Sequence, residues 1–386
     1  MLHRCYTSHV VDKEILEFRK GLAILKSGTT YLNHASVGPL HDEVVSAVTN
    51  GLKTQMMQAS LAQWDWFETM DRAREECAKL VGASPEDIAL MPNTSAGIMR
   101  AVSSIPFEPD DEVIWLADEF PALYWPIYSL TKRGVKLVPV ARTDGLGLTK
   151  SILRAVNPKT KLVAVSWVGF HSGARIDLRA LSEEKKRAGF YILVDGMQGV
   201  GAVPINLSQL DIDFLAVHGA KWLMAPVGIG FLYASPRARK LVPDLEGWYG
   251  HEIDWDSFLR RDTALHVDAR RFEVASPAFS LVYGLISACR KINTLGSDFI
   301  WKRIQMLTDL LIDGLEKLGL QIITPKPYEQ RAGIVTFKCP EPKETFEALE
   351  RKRIIVSYRE GAIRVSPHFW NTEEEISLLL DELRGR

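Results

Sequence analysis

The stretch Tyr191-Ile-Leu-Val-Asp195-Gly-Met-Gln198-Gly decides the fold class of this chain. A continuous apolar run such as Tyr191–Val194 is typical of a strand that is buried on both faces, as in a parallel sheet covered by helices. The carboxylate of Asp195 follows this strand directly, at the edge where open parallel sheets bind their ligands. The stretch therefore predicts an α/β sheet with a ligand site beyond the end of this strand.

Similar apolar runs occur on both sides of this stretch along the chain. They are Ile88–Met91, Glu112–Leu116, Val135–Val140, Leu162–Val168, Phe214–Val217 and Ile229–Tyr233. Segments with helical periodicity separate several of them, at Ala96–Ser104, Leu123–Arg133 and Leu178–Ala188. Strands that alternate with helices imply parallel pairing, with helices on both faces of the sheet. The sequence thus predicts a large, mainly parallel α/β domain.

The pattern changes after about Trp255, where the helices become longer and the strands shorter. Helical patterns at Phe279–Leu295 and Phe299–Leu318 lead into strand-like runs at Gly333–Lys338, Ile354–Tyr358 and Ala362–Val365, and a last helix begins at Thr372. We interpret this part as a smaller α+β domain, against which a helix at Val11–Leu25 packs. The predicted limits assign residues 28–258 to the large domain, and residues 1–27 and 259–386 to the small one.

The composition excludes several classes of protein. Of the 386 residues, 46% are apolar and 25% are charged, as in a globular chain with ample core. The 47 basic and 48 acidic residues leave a formal net charge of −1, which gives no general attraction to nucleic acid or to an anionic membrane. The four cysteines lack zinc-site spacing, so we expect no metal and a reducing, cytoplasmic setting. Residues 1–11 lack the apolar core of a secretory signal.

A second strand brings polar groups to the same edge of the predicted sheet. His218 and Lys221 follow the run Phe214–Val217. Burial lowers the pKa of a lysine and makes its neutral amine a nucleophile towards carbonyl groups. Taken singly, Asp195 is explained as well by a turn cap, and Lys221 by an amine that reaches solvent. Taken together, the two strand ends indicate a catalytic site.

Two further segments complete a possible cofactor site. Thr94 and Ser95 stand where a strand gives way to a helix, whose free backbone N–H groups suit a phosphate, although an ordinary helix cap is the alternative. Phe120 follows the strand Glu112–Leu116, where its ring can stack on a flat cofactor. A carboxylate for a pyridine nitrogen, a lysine for a Schiff base, a phosphate site and a stacking ring together fit pyridoxal 5′-phosphate (PLP).

Seven segments, taken together, resemble the class-V aminotransferase family, which includes cysteine desulfurases, isopenicillin-N epimerase-like proteins and kynureninases. They are Tyr31–Pro39, Asn93–Ile98, Ser166–Asp177, Val194–Gly201, His218–Trp222, Arg271–Pro277 and Ile363–Pro367. They span nearly the whole chain in the order found in the family. The resemblance implies the PLP-dependent transferase fold type I, a large mainly parallel sheet domain with a smaller α+β domain, and a homodimer.

The resemblance also implies roles for individual residues. Lys221 corresponds to the Schiff-base lysine, Asp195 to the partner of the pyridine nitrogen, and Gln198 to the group beside the ring hydroxyl. The other implied cofactor residues are Phe120 for ring stacking, Thr94, Ser95 and His218 for the phosphate, and Ser276 for the phosphate of the neighbouring subunit. The implied substrate residues are Arg364 for the α-carboxylate, together with Asn33, His34 and His171. A structural histidine at 218, a surface ion pair at Arg364 and a cleft-lining role for His171 are the alternatives.

The sequence departs from the cysteine desulfurases in the segment that carries their catalytic cysteine. Residues 354–362 are short and contain no cysteine, and Cys339 lies earlier, at the end of a predicted strand. Ala220 and Phe120 stand at positions where the desulfurases carry histidines. We therefore expect that this protein forms no persulfide on its own cysteines.

These observations predict a PLP-dependent enzyme that acts on a small-molecule amino acid through a Schiff base at Lys221, with transamination as the leading reaction. A cysteine desulfurase-like or other C–S or β-lyase activity is the first alternative, followed by racemisation and kynureninase-like hydrolysis. A non-catalytic scaffold or sensor that binds PLP is the alternative from another class. We expect neither a nucleic acid nor a membrane as partner.

Overall fold

The computed structural model describes residues 13–141 and 147–384. The strands in these ranges are β1 (Thr30–Tyr31), β2 (Ile88–Met91), β3 (Glu112–Leu116), β4 (Lys136–Val140), β5 (Thr160–Ser166), β6 (Tyr191–Asp195), β7 (Phe214–His218), β8 (Gly230–Ala234), β9 (Gln321–Ile322), β10 (Val335–Lys338), β11 (Ile354–Ile355), β12 (Ser357–Arg359) and β13 (Ala362–Val365). The helices are α1 (Lys13–Lys20), α2 (Asp42–Gln58), α3 (Gln63–Val81), α4 (Thr94–Ser104), α5 (Pro121–Ser129), α6 (Leu148–Ala155), α7 (Leu178–Ala188), α8 (Phe279–Leu295), α9 (Ser297–Lys317), α10 (Pro342–Arg351) and α11 (Glu373–Arg384).

The large sheet has seven strands in the order β2-β8-β7-β6-β5-β3-β4. The pairs from β7 to β4 are parallel, whereas β8 runs antiparallel to both β2 and β7. The segment between β7 and β8 holds no helix, so the chain turns back instead of crossing over. The prediction of a mainly parallel α/β sheet is confirmed.

The central strands are buried on both faces of this sheet. In β5, Val163 and Val165 pack into one hydrophobic core, and Leu162 and Ala164 pack into the other. All four side chains are fully buried, which is why the sequence shows a continuous apolar run at this strand instead of alternation. Two apolar faces require two helical layers, and this requirement fixes the three-layer architecture.

The second sheet has four antiparallel strands in the order β12-β13-β10-β9 and forms a third core with α9, α10 and α11. The predicted strand Ile354–Tyr358 divides into β11 and β12, which belong to different sheets. The long helices α2 and α3 lie where the sequence pattern gave no prediction. The helix predicted at Val11–Leu25 is confirmed only for α1, which ends at Lys20, and a separate 3₁₀ helix follows at Ala23–Ser27. Residues 11 and 12 lie outside the described ranges, as does Cys5.

Residues 30–38, which we call the connecting segment, hydrogen-bond to β11, to the end of β13 and to the loop after β7. At one end β1 pairs in parallel with β11, and Asn33 forms a β-bridge with Ser366 just after β13. At the other end the Gly38 N–H donates to the Ala220 carbonyl at 2.7 Å. One short piece of backbone therefore connects the end of β13 to the loop that carries Lys221.

The first helix packs within the predicted small domain, whereas the long helix α8 packs across the predicted domain limit. Arg19 of α1 donates to Glu375 of α11 at 2.8 Å, so α1 packs against the carboxyl-terminal part of the chain as expected. Helix α8 packs against α2 and α3, which belong to the other predicted domain. The limits at residues 28 and 259 stay predictions. In the part of the chain that the structure describes, no helix has the length and apolarity needed to cross a bilayer.

Candidate active site

A cavity of about 230 Å³ lies at the carboxyl ends of β5, β6 and β7, beside the first turn of α4. This is the edge at which open α/β sheets bind ligands. Its lining residues are Asn93, Thr94, Ser95, Phe120, Ala122, Ser166, Val168, Phe170, Asp195, Met197, Gln198, His218 and Lys221. Seven of the residues predicted from the sequence, Thr94, Ser95, Phe120, Asp195, Gln198, His218 and Lys221, therefore share one cavity.

Asp195 and Lys221 enter the cavity from the ends of neighbouring parallel strands. Asp195 ends β6, is 5% exposed, and accepts a hydrogen bond from the Met197 N–H at 2.8 Å. Burial raises the pKa of the Asp195 carboxyl to about 6, although this N–H and the charge of Lys221 act in the opposite direction. Burial lowers the pKa of the Lys221 amine to about 8, against the charge of Asp195. The cavity thus contains a carboxylate that is ionised at neutral pH and an amine that is partly neutral.

The end of the cavity near α4 is suited to an anion. Asn93 caps this helix, and its side-chain oxygen accepts from the Ala96 N–H at 2.9 Å. The following N–H groups, at Thr94 and Ser95, point out of the helix because no earlier turn provides acceptors for them. The hydroxyls of both residues lie on the same wall of the cavity. A phosphate is the anion that such a helix start binds most readily.

His218 contributes a further donor to this end of the cavity. Its Nε2 accepts a hydrogen bond from the Gly228 N–H at 3.0 Å, so a neutral His218 carries its proton on Nδ1. Burial, followed by the charge of Lys221, lowers the pKa of His218 and favours this neutral form. The histidine is therefore held in one tautomer with its remaining nitrogen as a donor.

The orientation of the Gln198 amide is set by its buried partners. The Trp222 indole N–H donates to Oε1 of Gln198 at 2.9 Å, and Nε2 of Gln198 donates to the Ala35 carbonyl at 3.0 Å. An indole nitrogen can only donate, so the amide cannot be flipped without loss of this bond. Nε2 keeps a second N–H, which can be directed to an oxygen on a ligand in the cavity.

Two phenylalanine rings form an apolar wall of the site. The rings of Phe120 and Phe170 pack edge to face, with centroids 5.3 Å apart and an interplanar angle of 71°. Nζ of Lys221 lies 5.8 Å from the centroid of Phe120. Phe120 is 44% exposed, although it lines the cavity. A flat aromatic ligand can cover this exposed ring and gain stacking energy.

Arg364 is buried at the side of the site, where its charge has no carboxylate partner among residues 13–141 and 147–384. Its guanidinium donates to the Phe170 carbonyl at 2.7 Å and to the Ser36 hydroxyl at 2.8 Å. The chain of hydrogen bonds continues from Ser36 to Ser357 and ends at the amide oxygen of Asn33. Nε of Arg364 is buried without a hydrogen-bond partner. Burial, with the charge of a neighbouring arginine, lowers the pKa of Arg364 to about 10. A buried guanidinium without a counter-charge is a receptor for a carboxylate.

Besides Arg364, four predicted site residues do not line the cavity. Asn33 contacts Ser357 and so supports the arginine instead of facing the cavity. His34 is completely buried, with its ring 4.8 Å from that of His368, and burial holds its pKa well below the usual range. His171 is half-buried beside the cavity wall, and its carbonyl accepts from Thr336. Ser276 is exposed and hydrogen-bonded to Tyr249. A contact from Ser276 to a second subunit stays a prediction.

The carboxyl group of Glu119 also lies beside the site, and no sequence pattern predicted it. Oε1 of Glu119 accepts from the Ser166 N–H at 2.6 Å, and its other oxygen accepts from the Ser166 hydroxyl. Burial raises the pKa of Glu119 to about 8, although both bonds from Ser166 act in the opposite direction. The carboxyl is therefore mostly protonated at neutral pH and adds little negative charge beside Asp195. Only a carboxylate next to Phe120 was visible in the sequence, and its burial depends on neighbouring strands.

Comparisons with known proteins agree with this arrangement. A sequence profile described as aminotransferase class-V matches residues 30–379. The uncharacterized aminotransferase YcbU of Bacillus subtilis is 29% identical over 328 residues, which are 83% of this chain and 86% of YcbU. Isopenicillin N epimerase of Streptomyces clavuligerus is 29% identical over 407 residues, which are 95% of this chain and 97% of the epimerase.

Two solved structures of C-DES have the same fold. One is a C-DES variant with glycine covalently linked to its PLP cofactor, with a TM-score of 0.88 and 22% identity over 95% of this chain and 98% of that one. The other is the complex of the cystine C–S lyase C-DES with its product cysteine persulfide, with a TM-score of 0.86 and 23% identity over 93% and 98% of the two chains. The fold of this chain is therefore fold type I of the PLP-dependent enzymes.

The residues in the cavity fit PLP at each part of that molecule. The start of α4 suits its phosphate, the carboxylate of Asp195 its ring nitrogen, Gln198 its ring oxygen and Phe120 its ring face. The amine of Lys221 lies in the same cavity and suits the aldehyde. The match over residues 30–379 and the site together support PLP as the cofactor, and the chain belongs to the class-V aminotransferase family.

Proposed function

We propose that this protein is a PLP-dependent enzyme that transfers the amino group of an amino acid. The observation that carries the proposal is the buried guanidinium of Arg364, which has no described carboxylate partner and lies beside a cavity that contains Lys221 and Asp195. An amino acid brings a carboxylate for this arginine and an amine for the centre of the cavity. The membership in the class-V aminotransferase family favours transamination among the possible reactions.

The residues of the chain have distinct tasks in this reaction. PLP, when bound, supplies a carbonyl for the amine and an electron-withdrawing ring. Lys221 would hold the cofactor through Nζ, and its neutral amine would accept a proton from Cα of the substrate. The negative charge of Asp195 would favour a protonated ring nitrogen, which an amide at this position cannot do. Arg364 fixes the α-carboxylate and thereby the orientation of the Cα–H bond.

A C–S or β-lyase activity is the second candidate, because the cystine C–S lyase C-DES has the same fold. A cysteine desulfurase of the persulfide-forming type is disfavoured. Of the described cysteines, Cys77 and Cys289 are fully buried in α3 and α8, and Cys339 packs against the core of the small sheet. None of the three lines the cavity. A non-catalytic PLP-binding protein is disfavoured by the joint presence of Lys221 and Asp195.

The experiment that tests the proposal is a panel of amino acids added to the purified holoenzyme. Transamination converts the cofactor to pyridoxamine 5′-phosphate and releases a 2-oxo acid, which chromatography detects in stoichiometric amounts in a single turnover. Release of pyruvate together with sulfide from cysteine or cystine identifies a lyase. A cofactor that stays unchanged with every amino acid, in a protein that binds it fully, contradicts the enzymatic proposal and supports the scaffold or sensor.

We further propose that the protein is a cytoplasmic homodimer, with Ser276 near the interface. Apolar side chains are exposed on two segments of the chain, including Leu61 at 84% and Leu259 at 82%. The rings of Trp64 and Trp255, with centroids 5.5 Å apart, bring these segments together. Phe67 packs beside Trp64 and Tyr249, and Tyr249 is the hydrogen-bond partner of Ser276. Apolar groups of this kind mark interaction surfaces, and two-fold dimers are the commonest assemblies. Sedimentation equilibrium should give twice the chain mass, and Leu61→Asp should weaken the dimer. A wild-type monomer with full cofactor occupancy would contradict this proposal.

A further inference from the structure

A second arginine lies on the same face of the four-stranded sheet as Arg364. Strands β12 and β13 pair with Ser357 opposite Arg364, so these two side chains project from the same face. Arg359 is two residues beyond Ser357 in β12, and residues that are two apart in a strand also share a face. Arg359 and Arg364 are thus diagonal cross-strand neighbours, with Cα atoms about 7–8 Å apart in this type of pairing.

Arg359 resembles Arg364 in lacking a counter-charge. Its guanidinium donates to the Tyr358 carbonyl at 2.9 Å, and no carboxylate among the residues that the structure describes lies within 4.0 Å of it. Its side chain is exposed at the end of the strand, whereas that of Arg364 is buried. One face of the sheet therefore presents a buried and an exposed guanidinium, and both are available to an anionic ligand.

The charge of Arg359 acts on the cavity itself. It lowers the pKa of Arg364 and also contributes to the lowered pKa of Lys221. Among the residues that the structure describes, the carboxylate of Asp195 is the negative charge that raises the pKa of Lys221, and the nearby Glu119 is mostly protonated at neutral pH. An α-carboxylate on Arg364 balances one of these positive charges, and the charge of Arg359 remains.

We propose that Arg359 binds a carboxylate on the substrate side chain, so that the preferred substrate is a dicarboxylic amino acid. This inference rests on the proposed function, because it places the α-carboxylate on Arg364. One or two methylene groups between Cα and the second carboxylate span the gap between two guanidinium groups that are diagonal neighbours. Arg359 thereby selects acidic side chains over neutral ones of the same shape, such as those of asparagine and glutamine.

The test compares acids with their amides in the holoenzyme. Two ratios of kcat/KM are measured, that of aspartate to asparagine and that of glutamate to glutamine. Each is determined for the wild type, Arg359→Gln, Arg359→Glu and the control Arg351→Gln. Arg351 is exposed at the end of α10 and does not line the cavity. We expect acids to be preferred in the wild type, the preference to fall about tenfold in Arg359→Gln, and the ratio to drop further in Arg359→Glu. The control should keep the wild-type ratio.

The proposal is overturned if the wild type processes the amides as well as the acids, or if Arg359→Gln leaves the ratio unchanged. A failure of the proposed function gives a different result, since no amino acid is then processed by any variant. In that event, binding is measured with 2-methylaspartate and 2-methylasparagine, which have no Cα proton. Each is titrated into the holoenzyme, and the change in the visible absorbance of the bound cofactor gives the dissociation constant. Equal dissociation constants for the two probes, or equal constants in Arg359→Gln and wild type for 2-methylaspartate, overturn the role of Arg359.

Discussion

The amine of Lys221 should titrate far below an ordinary lysine. With a pKa of about 8 in place of 10.5, about one-tenth of the Lys221 amines are neutral at pH 7, against about three in ten thousand for an ordinary lysine. The rate at which the cofactor-free protein reacts at Lys221 should therefore rise with pH and level off above about pH 8. Competitive labelling with acetic anhydride, read by mass spectrometry of the peptide that contains Lys221, measures this midpoint directly.

The two charged neighbours of Lys221 should move this midpoint in opposite directions. Asp195 is ionised above its own pKa of about 6, and its negative charge raises the pKa of Lys221, so Asp195→Asn should lower the midpoint. The positive charge of Arg364 lowers the pKa of Lys221, so Arg364→Gln should raise the midpoint. Arg351→Gln is the matched control and should leave it unchanged. A wild-type midpoint near 10.5, or shifts of the same sign in both variants, would refute this account of the electrostatics.

Three further predictions concern other parts of the site. Arg364→Lys keeps a charge but loses the planar fork, so kcat/KM for amino acids should fall about 10- to 150-fold, from the loss of a charged hydrogen bond worth about 1.5–3 kcal/mol. An unchanged value in steady-state kinetics would remove Arg364 from substrate binding. Because the pKa of Glu119 is raised to about 8, its contribution to stability is complete below pH 4.5 and is lost as the pH rises to about 8. The unfolding temperature of Glu119→Gln should therefore change less between these two pH values than that of the wild type. Replacement of all cysteines by serine or alanine should preserve turnover, and a persulfide found on Cys339, with activity lost in Cys339→Ala, would restore the desulfurase assignment.

The parts of the fold that depend on local patterns could be predicted from the sequence. A buried strand followed by a carboxylate or an amine is a local pattern, and it located Asp195 and Lys221 at neighbouring strand ends, as the structure has them. The reversal of β8 depends on which strands pair, and a single run of apolar residues carries no information on pairing. The split of Ile354–Tyr358 has the same cause, because β11 pairs with the distant strand β1, whereas β12 pairs with β13, the next strand along the chain.

The site residues that were placed inaccurately are those whose surroundings come from distant segments. His34 follows Asn33 directly, yet its neighbour in the structure is His368, more than three hundred residues away along the chain. No property of the segment Tyr31–Pro39 distinguishes a histidine that faces a cavity from one that faces the core. Arg359 shares a face with Arg364 only in the observed register of β12 and β13, and a strand pattern alone does not give that register.

The connecting segment has a mechanical consequence for the enzyme. It joins the sheet that carries Arg364 to the loop that carries Lys221, with its last hydrogen bond at Gly38. A methyl group on Gly38 would lie 2.2 Å from the carbonyl oxygen of Lys221, so the two backbones are in direct contact at this point. A rotation of the small sheet towards the cavity must therefore bend this segment or displace the lysine loop. The positions of the guanidinium that receives a carboxylate and of the amine are, in consequence, tied together by nine residues of backbone.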